Sequence, residues 1–296
     1  MIAMVRLAER TIFVKIGIGL PNQVRNLTAG VIPSWASQAE QAGFSTVSTV
    51  GRLAYPGVMD TVALAAAAGA TRRIGLLSNV MLAPAWPGAL FAKEIASIDG
   101  VSGGRLTLGI GVGGRADDFL VESSGFADRG RRMDRDLETY RTVWGGEPVG
   151  GGLNPAVPAG TRQVPLLFGA GSPRALQRMA EHGEGYVAPS VPVAMAGQTF
   201  DAARAAWRAA GRPGEPRLVA IAYFAIADAD TGRANVADYY ADAGPFLDIV
   251  VNAVRTTPAE ITQAVKEFEA LGAEELIFNP TSDDLDEISR LADLVH

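Results

Sequence analysis

Short apolar runs, separated by longer stretches of helical periodicity, set the rhythm of this chain. The first run covers residues 14–20 and closes on the turn pair Pro21-Asn22. Pro33 then opens a helical pattern that stops at Gly43. Residues 44–50, rich in Thr, Ser and Val, predict a second strand. An alanine-rich helix follows over residues 60–70, with Asp60 as its expected N-cap. Residues 73–82 predict one long third strand, interrupted by polar Ser78 and Asn79.

The alternation continues to the end of the chain. A helix is expected over 89–98, a fourth strand over 106–110 and a helix over 130–144. Residues 115–128 are polar, and residues 145–163, rich in Gly and Pro, form an excursion with no element of their own. Strands five to eight are expected at 164–168, 185–188, 217–226 and 275–278. Between them lie helices over 174–182, 194–210 and 258–271, and a helical region over 234–255 that Gly244-Pro245 should break. A last helix starts near Asp284. Eight strands alternating with helices imply parallel pairing through crossover helices, and the length suits a single (β/α)8 TIM barrel over residues 13–296. An open doubly wound sheet is the competing architecture. Residues 1–12 read as a leader outside the barrel.

Composition narrows the chemistry. With no cysteine and two histidines, His182 late in a helix and His296 at the end, thiolate, zinc and Ser-His mechanisms have little support. A net charge of −6 argues against nucleic acid. The basic run from Arg129 to Arg135 is interrupted by Asp134 and reads as a solvated helix start. The longest apolar run, residues 218–227, is too short to cross a membrane, and no secretory signal is evident, so a cytoplasmic protein is expected. Asn279 and the following Pro-Thr-Ser-Asp-Asp read as a helix cap, not a metal site.

Two glycine-rich strand ends carry the remaining signal. Gly109, Gly111, Gly113 and Gly114 crowd the end of strand four, where glycine is unfavourable by roughly 0.5–1 kcal/mol each against alanine. Bare backbone there implies a closely approaching ligand or chain segment. The string satisfies GxGxxG but follows three βα units, so a dinucleotide fold is poorly matched. Gly169-Ala170-Gly171-Ser172-Pro173-Arg174 leads straight into a helix whose first amides suit an anion, with Arg174 as a counter-charge. Two such ends in one barrel favour a ligand carrying phosphate. Chemistry supplied by a bound cofactor fits the scarcity of catalytic side chains.

The stretch Ser102-Gly103-Gly104-Arg105-Leu106-Thr107-Leu108-Gly109, preceded by Ala92-Lys93-Glu94-Ile95-Ala96-Ser97-Ile98-Asp99, resembles the bacterial luciferase-like monooxygenase superfamily. Arg73-Ile74-Gly75-Leu76, Pro165 to Ala170 and Gly183 to Val187 extend the resemblance over roughly residues 14–290. It implies a barrel oxidoreductase that uses FMN or coenzyme F420, with a small-molecule substrate and a homodimeric assembly. It implies a bulge in strand three, often with a non-proline cis peptide, at Ser78, Asn79 and Val80, backing the cofactor ring. Gly111, Val112, Gly113 and Gly114, with Gly169, Ala170, Gly171, Ser172 and Arg174, would hold the cofactor's phosphate end. The family often carries Asp-His at the end of strand two, where this chain has Gly51-Arg52. Arg52 and Asn79 are therefore the catalytic candidates. The compact chain leans towards coenzyme F420, and the missing Asp-His pair keeps open a barrel that binds cofactor without turning it over.

Overall fold

In the computed structural model, residues 14–120, 125–169 and 171–296 are described. The expected leader over residues 1–12 and the expected cofactor contact Ala170 lie outside them. Nine parallel strand segments close into one eight-stranded barrel. They are β1 (Lys15–Gly19), β2 (Thr46–Thr49), β3 (Gly75–Ser78), β4 (Met81–Leu82), β5 (Leu106–Gly111), β6 (Leu166–Phe168), β7 (Gly185–Val187), β8 (Arg217–Phe224) and β9 (Glu275–Pro280). Their order around the barrel is β3-β2-β1-β9-β8-β7-β6-β5-β4, and pairing of Leu76 with Leu106 and of Leu77 with Thr107 shuts the ring.

The surrounding helices are α1 (Val31–Gln41), α2 (Asp60–Ala70), α3 (Gly88–Ser102), α4 (Asp117–Leu120), α5 (Arg129–Trp144), α6 (Pro173–His182), α7 (Val193–Ala209), α8 (Ala229–Tyr239), α9 (Phe246–Asn252), α10 (Pro258–Ala270) and α11 (Asp286–Val295). The fold is thus the (β/α)8 barrel expected, and the open sheet is excluded by closure. Leu77, Leu167, Val187, Val219, Ile221 and Ile277 fill the barrel interior. A larger apolar layer, including Trp35, Phe91, Tyr140 and Phe200, lies between strands and helices. Glu275, fully buried, closes the N-terminal end by accepting bonds from Ser45 (2.6 Å) and Arg217 (2.7 Å).

Four local expectations need correcting. The third strand is two pieces, β3 and β4, separated by Asn79 and Val80; the cis peptide between these two is the one that the family resemblance implies at this bulge. Asp60 is the first residue of α2 and not its N-cap; Met59 holds that position, and the Asp60 carboxylate is buried. The polar stretch after β5 contains the unexpected short helix α4. Helix α1 begins two residues before Pro33, because amides in the first turn have no intrahelical acceptor to lose. The break at Gly244-Pro245 stands: α8 ends at Tyr239 and α9 starts after Pro245.

The turn that carries the family resemblance is a clamp. Gly103 closes α3 in the left-handed region, at φ 73°. Arg105 then donates to the carbonyls of Ala68 (3.0 Å), Thr71 (3.1 Å) and Ile74 (2.6 Å), satisfying the open end of α2. One side chain thereby ties α2, β3 and β5 together at the end of the barrel opposite the mouth.

Candidate functional site

The C-terminal ends of the strands surround a cavity of about 610 Å³, the face where barrels of this kind carry their sites. Asn79 and Val80 reach it from the break in strand three, Gly111 to Gly114 from the end of β5, and Gly169, Gly171 and Ser172 from the end of β6. Tyr223 on β8 and Asn279 on β9 line the opposite wall.

Asn79 is 4% exposed, yet among the described residues neither its Oδ1 nor its Nδ2 has a hydrogen-bond partner. Asn279, 2% exposed, leaves its Oδ1 in the same condition. An unsatisfied buried amide costs on the order of 1–3 kcal/mol. Both residues line the cavity, with the Asn279 Oδ1 packed towards Gly19, where a Cβ would stand 2.5 Å from it. Val80 lines the cavity too, but Ser78 does not: it is fully buried and its hydroxyl donates to the Gly109 carbonyl at 2.8 Å. Asn279 was read from the sequence as part of a cap. Its signal, a polar residue at the end of an apolar strand, is the one that singled out Asn79.

The glycines divide into two kinds. A Cβ at Gly109 would lie 2.0 Å from the Ser78 carbonyl oxygen, and one at Gly111 would lie 3.0 Å from Val80 Cγ2. Gly113 has φ +77° and stands against the Phe119 ring. All three make room for the protein's own chain, the second of the two reasons expected for bare backbone here, while Gly111 and Gly113 also line the cavity. Gly114 and Gly171 face open space and line the cavity with Val112 and Ser172. Ser172 also caps α6, accepting the Ala175 amide at 3.3 Å.

The cation at this end is not the expected one. Arg174 is half exposed and turned to Asp134 at 3.3 Å, away from the cavity. Arg178 makes a closer pair with the same carboxylate at 2.7 Å and holds Asp134 below the usual carboxylate range. Arg129, read from the sequence as a solvated helix start, lines the cavity instead. Its Nε donates to the Gly113 carbonyl (3.0 Å) and its Nη1 to the Phe126 carbonyl (2.9 Å). Its guanidinium lies 3.7 Å from the centre of the Phe126 ring, and it has no carboxylate partner among the described residues. Nothing in the spacing of the basic run marks Arg129; only the position of the start of α5 in the fold does.

Arg52 is buried and committed. It pairs with Asp117 and approaches Asp118 Oδ2 at 3.6 Å, while Asp118 Oδ1 accepts the amides of Leu53 (3.0 Å) and Ala54 (2.9 Å). The loop after β2 is thereby fastened to α4. The Arg52 guanidinium is held between two carboxylates. Tyr239, its pKa raised by burial, lies with its ring centre 5.9 Å from the guanidinium.

Known proteins share this architecture. An F420-dependent secondary alcohol dehydrogenase, solved with an F420-acetone adduct, superposes with a TM-score of 0.78 at 15% identity, covering 95% of this chain and 98% of that one. The oxygenating constituent of 3,6-diketocamphane monooxygenase from Pseudomonas putida, solved with FMN, gives a TM-score of 0.72 at 17% identity, covering 95% and 96%. At such identities these likenesses show the fold. In sequence, an uncharacterized protein of Mycobacterium tuberculosis is 30% identical over 184 residues, 51% of this chain and 64% of that protein. The match therefore spans somewhat under two thirds of that relative's length. 4-Hydroxyprotoasukamycin monooxygenase of Streptomyces nodosus is 31% identical over 116 residues, 39% of this chain and 29% of that enzyme. The model of the luciferase-like monooxygenases matches residues 11–285, nearly the whole barrel, and the chain belongs to that family.

Proposed function

We propose that the protein is an oxidoreductase that binds a flavin or deazaflavin, FMN or coenzyme F420, in the 610 Å³ cavity. The observation that carries this reading is the pairing of two chemistries on one cavity. Asn79, whose amide has no hydrogen-bond partner among the described residues, and Asn279 line its depth. Gly114, Gly171, Ser172 and Arg129 offer open backbone and a cation at its rim. A flat polar ring with a phosphate tail needs both. The bound cofactor would supply hydride transfer. The chain's own part is to satisfy the ring's edge through Asn79 and Asn279, to hold the tail through Arg129 and the first amides of α6, and to keep water from the apolar wall formed by Val80, Val187 and Ile221. Likeness to one F420-dependent and one FMN-bound enzyme supports either cofactor.

Fluorescence titration of the purified protein with FMN and with F420 tests this. Binding of one of them at tens of micromolar or below is expected; binding of neither overturns the reading. A second reading rests on Arg52, which is committed to Asp117 and Asp118 where the family often carries Asp-His. A barrel that only stores cofactor would bind it and fail to cycle it with any donor.

A further inference from the structure

A second cavity, of about 430 Å³, opens beside the first and shares Val50, Asn79, Val80, Leu82, Gly114, Tyr240 and Phe246 with it, so that, of the two, Tyr239 and Arg115 belong to the second alone. Its walls are aromatic and apolar: Tyr239, Tyr240, Phe246 and Leu82. Its charged groups are Arg52, Arg115, Asp118 and, at the exposed rim, Asp242. Arg52 is neutralised by Asp117 and Asp118. Arg115 differs. Its guanidinium lies 5.3 Å from the ring centres of both Tyr239 and Tyr240, and its Nη1 donates to the Tyr239 carbonyl at 3.0 Å. No carboxylate among the described residues pairs with it. A fixed cation without a counter-ion, set among aromatic rings, is suited to an anionic group on a flat apolar body.

We propose that this side cavity is the substrate subsite and that it takes an aromatic acid, with Arg115 as the residue that selects the negative charge. Naming this ligand as the substrate rests on the cofactor reading above, because the shared Asn79 and Val80 would place it against the cofactor ring. Tyr239, Tyr240 and Phe246 would flank the aromatic body, and Asn79 would face both ligands.

The test uses 2-naphthoate and 2-naphthamide, the same ring with and without the charge, titrated calorimetrically into the full chain. Naphthoate is expected to bind about tenfold or more tightly than the amide, the range for a hydrogen bond to a charged group. Arg115→Met keeps an apolar stem over the tyrosines and should erase the difference, and Arg115→Lys should retain part of it. FMN and F420 affinities should be unchanged in Arg115→Met. Equal binding of acid and amide by the wild type overturns the proposal, as does a preference that survives Arg115→Met. A parallel loss of cofactor affinity in that variant also overturns it, since Arg115 would then hold the cofactor's phosphate. Discrimination by naphthoate without binding of either cofactor would uphold the subsite and sink the cofactor reading alone.

Discussion

Gly51 lies against the buried carboxylate of Asp60, so close that a Cβ at position 51 would stand 2.1 Å from Oδ2. The end of strand two therefore has no room for a side chain, and a carboxylate delivered by α2 occupies the space one would take. Gly51→Ala is expected to destabilise the protein by about 1–3 kcal/mol, the usual range for overpacking. In an Asp60→Ala background the same change should cost far less. Chemical denaturation of the four proteins of this cycle measures the coupling, and additive effects would show that the two residues do not compete for space.

Burial pushes the Asp60 carboxyl up to about 6. Its folded value is above the unfolded one, so the folded state holds the proton more tightly. The stability it contributes is complete below about pH 4 and is lost as pH rises through about 6. The shift amounts to roughly 3 kcal/mol. Asp60→Asn cannot titrate. Wild type should therefore lose about that much relative to the variant between pH 4 and pH 7, with no further difference above. Parallel stability curves for the two proteins would contradict this.

Arg129 is the cation at the rim of the larger cavity. Arg129→Met should weaken binding of phosphate-bearing FMN by about tenfold or more, and leave riboflavin, which lacks the phosphate, within about twofold of wild type. Arg174→Met, whose side chain faces Asp134, should change neither. Fluorescence titrations of both ligands separate these outcomes, and an equal loss for FMN and riboflavin would remove Arg129 from the phosphate site.

Gly109 and Gly114 stand five residues apart and should answer alanine in opposite ways. At Gly109 the new methyl meets the Ser78 carbonyl at 2.0 Å, so severe destabilisation, about 3 kcal/mol or more, is expected. At Gly114 nothing lies within 4 Å. Gly114→Ala should keep wild-type stability within about 0.5 kcal/mol and weaken cofactor binding by narrowing the cavity. Thermal unfolding alongside cofactor titration reads both.

Much of this was legible without coordinates, because it is local. Apolar runs of four to eight residues, turns at Gly and Pro and the helical periodicity between them dictate strand, loop and helix wherever neighbours along the chain decide the conformation. The (β/α)8 order follows from that alternation. The turn at Gly103 and Arg105 was the most telling signal of family. Its importance is structural: Arg105 closes the end of α2 through the Ala68 and Thr71 carbonyls and ties it to the start of β3 through Ile74.

What tertiary structure alone decided is which side chains share a space. Asp60 reads as a cap until the fold sets it behind Gly51. Arg174 reads as the anion's partner until Asp134 on α5 claims it, and Arg129 becomes visible only when the fold sets the start of α5 at the cavity. Asn79 and Asn279 are 200 residues apart in the chain, and only closure of the barrel sets both on one cavity. The sequence determined the elements and the family, since those depend on short-range pattern. The site depends on charge neutralisation and steric exclusion between distant segments, and those exist only once the barrel is closed.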